Sequence, residues 1–128
     1  MLSTAGSEPH AIPVSTAVRA TDRLVLVALA IRRESLTRLR ADPRTALTLL
    51  AEDDVAITAH CRARIVADPM SISDRLCAVA LDVLRVQDHG QPRFRIDAGV
   101  RWYWTDEQAR RRDAEVRQAL SELVGSRP

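Results

Sequence analysis

Val55-Ala56-Ile57-Thr58-Ala59-His60-Cys61-Arg62-Ala63-Arg64-Ile65 is the stretch whose reading decides the fold. Val55, Ile57, Ala59, Cys61, Ala63 and Ile65 fall on one side of an extended chain, and Thr58, His60, Arg62 and Arg64 fall on the other. Period two with one apolar face predicts a half-buried antiparallel strand. The acidic turn Glu52-Asp53-Asp54 precedes it, and the apolar segment Arg44 to Leu50 before that turn supplies a hairpin partner.

Working outward, the chain reads as strand after strand. Leu24 to Ile31 is an eight-residue apolar run, which fits a strand buried on both faces and is far short of the ~20 residues a membrane helix needs. Leu2 to Ala5 and the run from Ala11 to Val18 flank a turn-like Gly6-Ser7-Glu8-Pro9 and predict an opening hairpin. Pro13 falls inside the second of these strands, where a residue without an N–H marks an edge, a bulge or a place where a ligand meets the backbone. A short helix is expected over Ser35 to Ala41, with Leu36 and Leu39 on one side and Pro43 past its end. Ser71 to Gln87 carries both helical and alternating spacing, and periodicity leaves it open. Trp102-Tyr103-Trp104 suits a strand with both indoles on one face. After it, Thr105 and Gln108 read as a capping box, Ala109, Val116, Leu120 and Leu123 as an apolar stripe, and Gly125 as a helix stop. About six strands with a short inserted helix and a C-terminal helix describe a mainly β domain, a small antiparallel barrel or highly curved sheet.

Composition limits the function classes. The 128 residues, 46% hydrophobic and 28% charged, suit one ordered domain, with a barrel over about 1–104 and a helix over about 105–125. All 19 basic residues are Arg, and against 17 acidic residues the net charge is only +2, so a clustered nucleic-acid surface is not expected. Arg110-Arg111-Arg112 sits beside Glu107, Asp113 and Glu115 and reads as a solvated helix face. Cys61 and Cys77, with fifteen residues between them and without a secretory leader at Met1, imply reduced core thiols in the cytoplasm. His10, His60 and His89 have no ligand spacing that would hold a metal with Cys61, and no Gly-flanked serine turn supports a hydrolase. Arg32, Arg33, Ser35 and Arg38, at the start of the inserted helix, form a candidate anion site, because guanidinium groups and unpaired helix N–H groups suit phosphate.

These segments, in this order, resemble the FMN-binding split-barrel family, the pyridoxamine 5′-phosphate oxidase-like proteins, from Leu2 to about Trp104. LSTAGSEPHAIPVS is similar to the family's opening strand pair, SLTRLRADPRTALTLL to its helix, Asp-Pro and apolar strand, and ITAHCRARIVADP to its next strand, with Cys61 where many members carry Gly. The resemblance implies a six-stranded split barrel, a homodimer with a flavin in each of two clefts between subunits, and a strand from about Leu76 to Gln87. It places the flavin ring against Pro13, Val14 and Ser15 and near Ala30 and Ile31, and its phosphate at Arg32, Arg33, Ser35 and Arg38; Trp102 would close the pocket from the partner subunit, although burial in the core or the dimer interface is the more ordinary use of such an aromatic residue. Met1 leads straight into the first strand, so the short helix that usually precedes it is expected to be missing and one barrel end open. Ser35 stands where many members have a phosphate-contacting Lys, Arg38 where Asn is usual, and Ala56 where true pyridoxamine phosphate oxidases carry Gln. The implied function is an FMN-dependent oxidoreductase acting on a small molecule, without pyridoxamine phosphate oxidase activity. The alternatives are a reductase using the deazaflavin coenzyme, as some members do, and a non-catalytic carrier or sensor of flavin or haem.

Overall fold

A computed structural model describes residues 1–125. The chain runs β1 (Leu2–Thr4), β2 (His10–Ile12), β3 (Ala17–Thr21), β4 (Leu24–Ala30), α1 (Glu34–Ala41), β5 (Arg44–Ala51), β6 (Val55–Ala67), β7 (Leu76–Asp88) and α2 (Glu107–Gly125). The seven strands form one antiparallel sheet in the order β2-β1-β5-β6-β7-β4-β3. The mainly β architecture with a short helix and a C-terminal helix is therefore as expected, and the strand count is seven where six was expected.

Pro13 accounts for the extra strand. The expected strand from Ala11 to Val18 is broken there into β2 and β3, which lie on opposite edges of the sheet. A ring nitrogen without a hydrogen cannot continue the β1 ladder, so the chain leaves one edge at Pro13 and joins the other at Ala17. This crossing fixes the curvature. The edges of a flat seven-stranded sheet would be roughly 29 Å apart, whereas the steps from Ile12 to Ala17 span at most roughly 18 Å. The sheet must curl until its edges approach, which makes a barrel with a seam bridged by the Pro13–Thr16 linker.

The core follows from that curl. Leu2, Val27, Leu29, Leu47, Ala59, Cys61, Ala63, Cys77, Val79 and Leu81 point into the barrel, and Leu36 and Leu39 of α1 pack into the same cluster. β6 shows the predicted alternation, with Ala59, Cys61 and Ala63 buried and Arg62 exposed. β7 settles the open segment as a strand and shows why its pattern was mixed. Cys77, Val79 and Leu81 face the barrel while Ala78 and Ala80 face α2, so five consecutive residues are buried. Both cysteines are free and buried, and burial pushes the Cys61 thiol up to about 11.

α2 lies on the outer face of β3, β4 and β7 and buries Val116 and Leu120 against Leu26, Met70, Ala78 and Ala80. Its N-terminus differs from the expected capping box. Asp106 Oδ1 accepts the Ala109 N–H at 2.7 Å, so Asp106 is the cap, and Thr105 and Gln108 form no box. The helix continues to Gly125, the last described residue, and residues 126–128 of the expected domain lie outside the described residues. Among the described residues, no helix is long and apolar enough to cross a membrane.

Residues 102–104 are not a strand. They join no ladder of the sheet, and Trp102 and Trp104 instead meet edge to face with ring centroids 5.0 Å apart. The irregular segment leading to them is strapped to the β5–β6 turn. Asp54 Oδ1 accepts the Ile96 N–H at 2.7 Å, Arg95 donates to Oδ2 at 2.9 Å, and the Asp54 N–H donates to the Ile96 carbonyl at 3.2 Å. The Ile96 N–H, then Arg95, hold the Asp54 carboxyl below its ordinary value of 3.8. The contribution of that carboxylate is complete above pH 3.8 and is lost as pH falls through the lower folded value. Acidification below about pH 4 is expected to loosen the strap and change tryptophan emission before the β-sheet signal is lost. Asp54→Asn should remove that early phase; an unchanged acid profile in the variant would show that the strap is held by other contacts.

Candidate functional site

A cleft of about 300 Å³ opens beside the barrel seam. Three parts of the chain build it: Ile12 to Thr16, the end of β4 with Ala28, Leu29, Ala30 and the following Arg33, and the start of α2 with Ala109, Arg112, Asp113 and Val116. Trp104 and Leu76 complete the walls. The walls are mostly apolar because the end of β4 turns small residues outward and Pro13 and Val14 have left the ladder. Ser15, Thr16, Arg33, Arg112 and Asp113 add polar groups to these walls, a combination suited to an apolar planar body carrying an anionic group.

The expected site residues divide into two sets. Pro13, Val14, Ser15, Ala30 and Arg33 line this cleft together. Ile31, Arg32, Ser35, Arg38 and Trp102 do not. Arg32 is exposed next to Arg33, and among the described residues neither guanidinium is paired with a carboxylate. Ile31 begins the turn into α1 and is partly exposed. Trp102 is 52% exposed on the strap, and its neighbour Trp104 reaches the cleft.

Ser35 and Arg38 are used inside the fold. Ser35 is fully buried on α1, with its Oγ 3.2 Å from His10 Nε2. Arg38 donates to the Glu8 carbonyl and carboxylate at 3.0 Å each and pairs with Glu34 at 3.3 Å. Together they tie α1 to the β1–β2 turn, whereas Arg33 lines the cleft and Arg32 is exposed beside it. Glu34 in the first turn of α1 adds a negative charge where an anion would meet the helix end. His10 Nδ1 also lies 3.8 Å from Glu34, which completes a Glu-His-Ser arrangement. It has no hydrolytic use, because a serine with no exposed surface cannot meet a substrate.

Other expectations can be placed in the same way. Ala56 is buried at 3% exposure, and its side chain offers only a methyl group. Among the described residues, no three His, Cys, Asp or Glu side chains gather as a metal would require. On α2, Arg110 and Arg111 pair with Glu107, and Arg112 with Glu115. The sequence offered no signal for Trp104, Arg112 and Asp113 as cleft residues, since each is brought there by the way α2 docks.

A curled antiparallel sheet, split at a seam and with a cleft beside that seam, is the architecture of the pyridoxamine 5′-phosphate oxidase-like split-barrel proteins. No family model matches this chain, and no curated protein matches it in sequence. Solved structures do. A provisional pyridoxamine 5′-phosphate oxidase from Listeria innocua superposes with a TM-score of 0.59 at 12% identity, over 70% of this chain and 86% of that one. A FAD-binding protein from Mesorhizobium loti gives 0.54 at 11% identity, over 66% and 78%. The NADH:FAD oxidoreductase of Streptomyces globisporus C-1027 gives 0.53 at 16% identity, over 68% and 72%. The fold of this chain is thus the split barrel that its sequence resembles.

Proposed function

We propose that this protein binds a flavin in the seam cleft and works as a cytoplasmic, homodimeric oxidoreductase on a small molecule, with FMN as its cofactor. The observation that carries the reading is the cleft itself: apolar walls from Pro13, Val14, Ala30 and Trp104, together with an exposed Arg33 whose guanidinium meets no carboxylate among the described residues. These groups suit a flavin in chemical kind. The aromatic ring system would be held by the apolar walls, and its phosphate by Arg33 and Arg32. A bound flavin supplies hydride or two-electron chemistry at its own ring, so this chain needs no nucleophile of its own. Pro13 to Thr16 and Trp104 would orient the ring and exclude water. Two of the similar structures are described as FAD proteins, which supports the flavin class more broadly than FMN.

Dimerisation fits the surface. Leu49 and Leu50 on β5 and Leu84 and Val86 on β7, the two strands that flank β6, are all exposed, and large apolar side chains left on a sheet surface suit burial against a second copy. Pyridoxamine phosphate oxidase activity is not expected, since Ala56 cannot hydrogen-bond a flavin.

Titration of the purified protein with FMN, FAD and the deazaflavin coenzyme, followed by absorption, tests the reading. Saturable FMN binding with a perturbed visible band is the expected result. Binding of the deazaflavin coenzyme alone would move the protein to the rival class of reductase. A Soret band in the isolated protein would favour haem, and binding of none of these would leave the split barrel a non-catalytic scaffold.

A further inference from the structure

The linker that floors the cleft has little to hold it within the sheet. Pro13 to Thr16 passes between two sheet edges, and the Ala28 N–H donates to the Thr16 carbonyl at 3.3 Å. α2, about a hundred residues later, supplies the rest. Thr16 Oγ1 donates to Asp113 Oδ1 at 2.5 Å, and Arg117 Nε donates to Asp113 Oδ2 at 2.8 Å. The two terminal nitrogens of Arg117 donate to the Ala17 and Ser15 carbonyls, each at 2.8 Å. One planar guanidinium thus grips a carboxylate, a linker carbonyl and the first carbonyl of β3 at once, a geometry that Lys could not reproduce.

This clamp is not what seats the helix. Val116 and Leu120 already bury α2 against Leu26, Met70, Ala78 and Ala80. Nor does it charge the cleft, because the Asp113 carboxylate is neutralised by Arg117. What it fixes is the path of the chain from Ser15 to Ala17. We infer that Asp113 and Arg117 are positioning residues, which hold the Pro13–Thr16 linker in the form that receives the flavin ring. The inference rests on the flavin reading above and adds to it a role for α2. Neither residue touches the phosphate end of the cleft at Arg33, so the clamp acts on the ring and not on the phosphate.

The test uses the full chain with Arg117→Gln and with Asp113→Asn, FMN and riboflavin as probes, and amide hydrogen exchange of residues 14–17 without ligand. Both variants are expected to exchange faster in the linker and to weaken FMN and riboflavin alike, by about tenfold, with a less resolved visible band for the bound flavin. Arg111→Ala, on the exposed face of the same helix, should change neither. Flavin affinities within twofold of the unaltered protein would overturn the inference, as would a loss confined to FMN, which would make the clamp part of the phosphate site. A variant that melts early yet binds both flavins normally would show a stabilising role only, and also overturns it. Should the unaltered protein bind neither flavin, the flavin reading itself falls; linker exchange unmoved by Arg117→Gln would overturn the clamp separately.

Discussion

Leu120→Ala is expected to cost about 3 kcal/mol of folding stability, measured by urea denaturation, and to lower the melting temperature by about 10 °C for a domain of this size. Leu120 is fully buried between α2 and the outer face of β4 and β7, in a cluster with Leu26, Met70, Ala78, Ala80 and Val116. Truncation removes apolar contact and leaves a cavity, and the cost of a cavity depends on whether its walls can close. Here they cannot close easily. Ala78 and Ala80 have no longer side chains to swing in, and α2 is tethered to the seam through Arg117 and Asp113, so it cannot settle inward without dragging the linker. Stability should therefore fall towards the middle of the known range for such changes, a large fraction of the roughly 5–15 kcal/mol available to a domain. The same variant should weaken flavin binding, because four cleft residues, Ala109, Arg112, Asp113 and Val116, ride on the helix. Leu123→Ala, only partly buried beyond the cluster, should cost less than half as much. A Leu120→Ala cost below about 1 kcal/mol would mean that α2 does not seat on the barrel in this way.

How much of this was legible beforehand depended on how many neighbours a residue has to satisfy. β6 could be read from its spacing because its barrel face is apolar and its outer face polar, with Cys61 buried and Arg62 exposed beside it. β7 could not, because α2 buries Ala78 and Ala80 and erases the alternation that Cys77, Val79 and Leu81 would otherwise display. Pro13 was visible as an interruption, but its consequence was not: whether the chain bulges, ends or changes edge depends on where the other edge lies. The candidate site shows the same limit more sharply. Ser35 and Arg38 sit where an anion would be expected, yet His10 and Glu8, 25 and 30 residues earlier, turn both towards the β1–β2 turn. Asp113 and Arg117, four apart on a helix, read as an ordinary surface ion pair, and nothing local reveals that Thr16 and the Ser15 carbonyl lie against them. The resemblance carried the fold, because it rests on contiguous motifs; what α2 contributes to the cleft depends on a docking that no local motif reveals.

Replacing both Arg32 and Arg33 with alanine is expected to lower FMN affinity about a hundredfold while leaving riboflavin within a factor of about three, since charge-assisted bonds to a phosphate contribute roughly 1.5–3 kcal/mol each. The comparison isolates the phosphate, because the two ligands share the ring and differ at that group. Arg33 lines the cleft and Arg32 is exposed beside it, and among the described residues no carboxylate competes for either guanidinium. Arg38 is the informative contrast. Its side chain is 12% exposed and already shared between Glu8 and Glu34, so Arg38→Ala should loosen the β1–β2 turn and lower the melting temperature without changing the ratio of the two affinities. Raising the salt concentration should weaken FMN more than riboflavin in the unaltered protein, and equally in the double variant, because exposed charges are screened. An unchanged FMN affinity, or equal losses for the two ligands, would sink the assignment of Arg32 and Arg33. A ratio altered by Arg38→Ala would mean that the phosphate reaches behind α1, to the place where Ser35 and His10 now bond to each other.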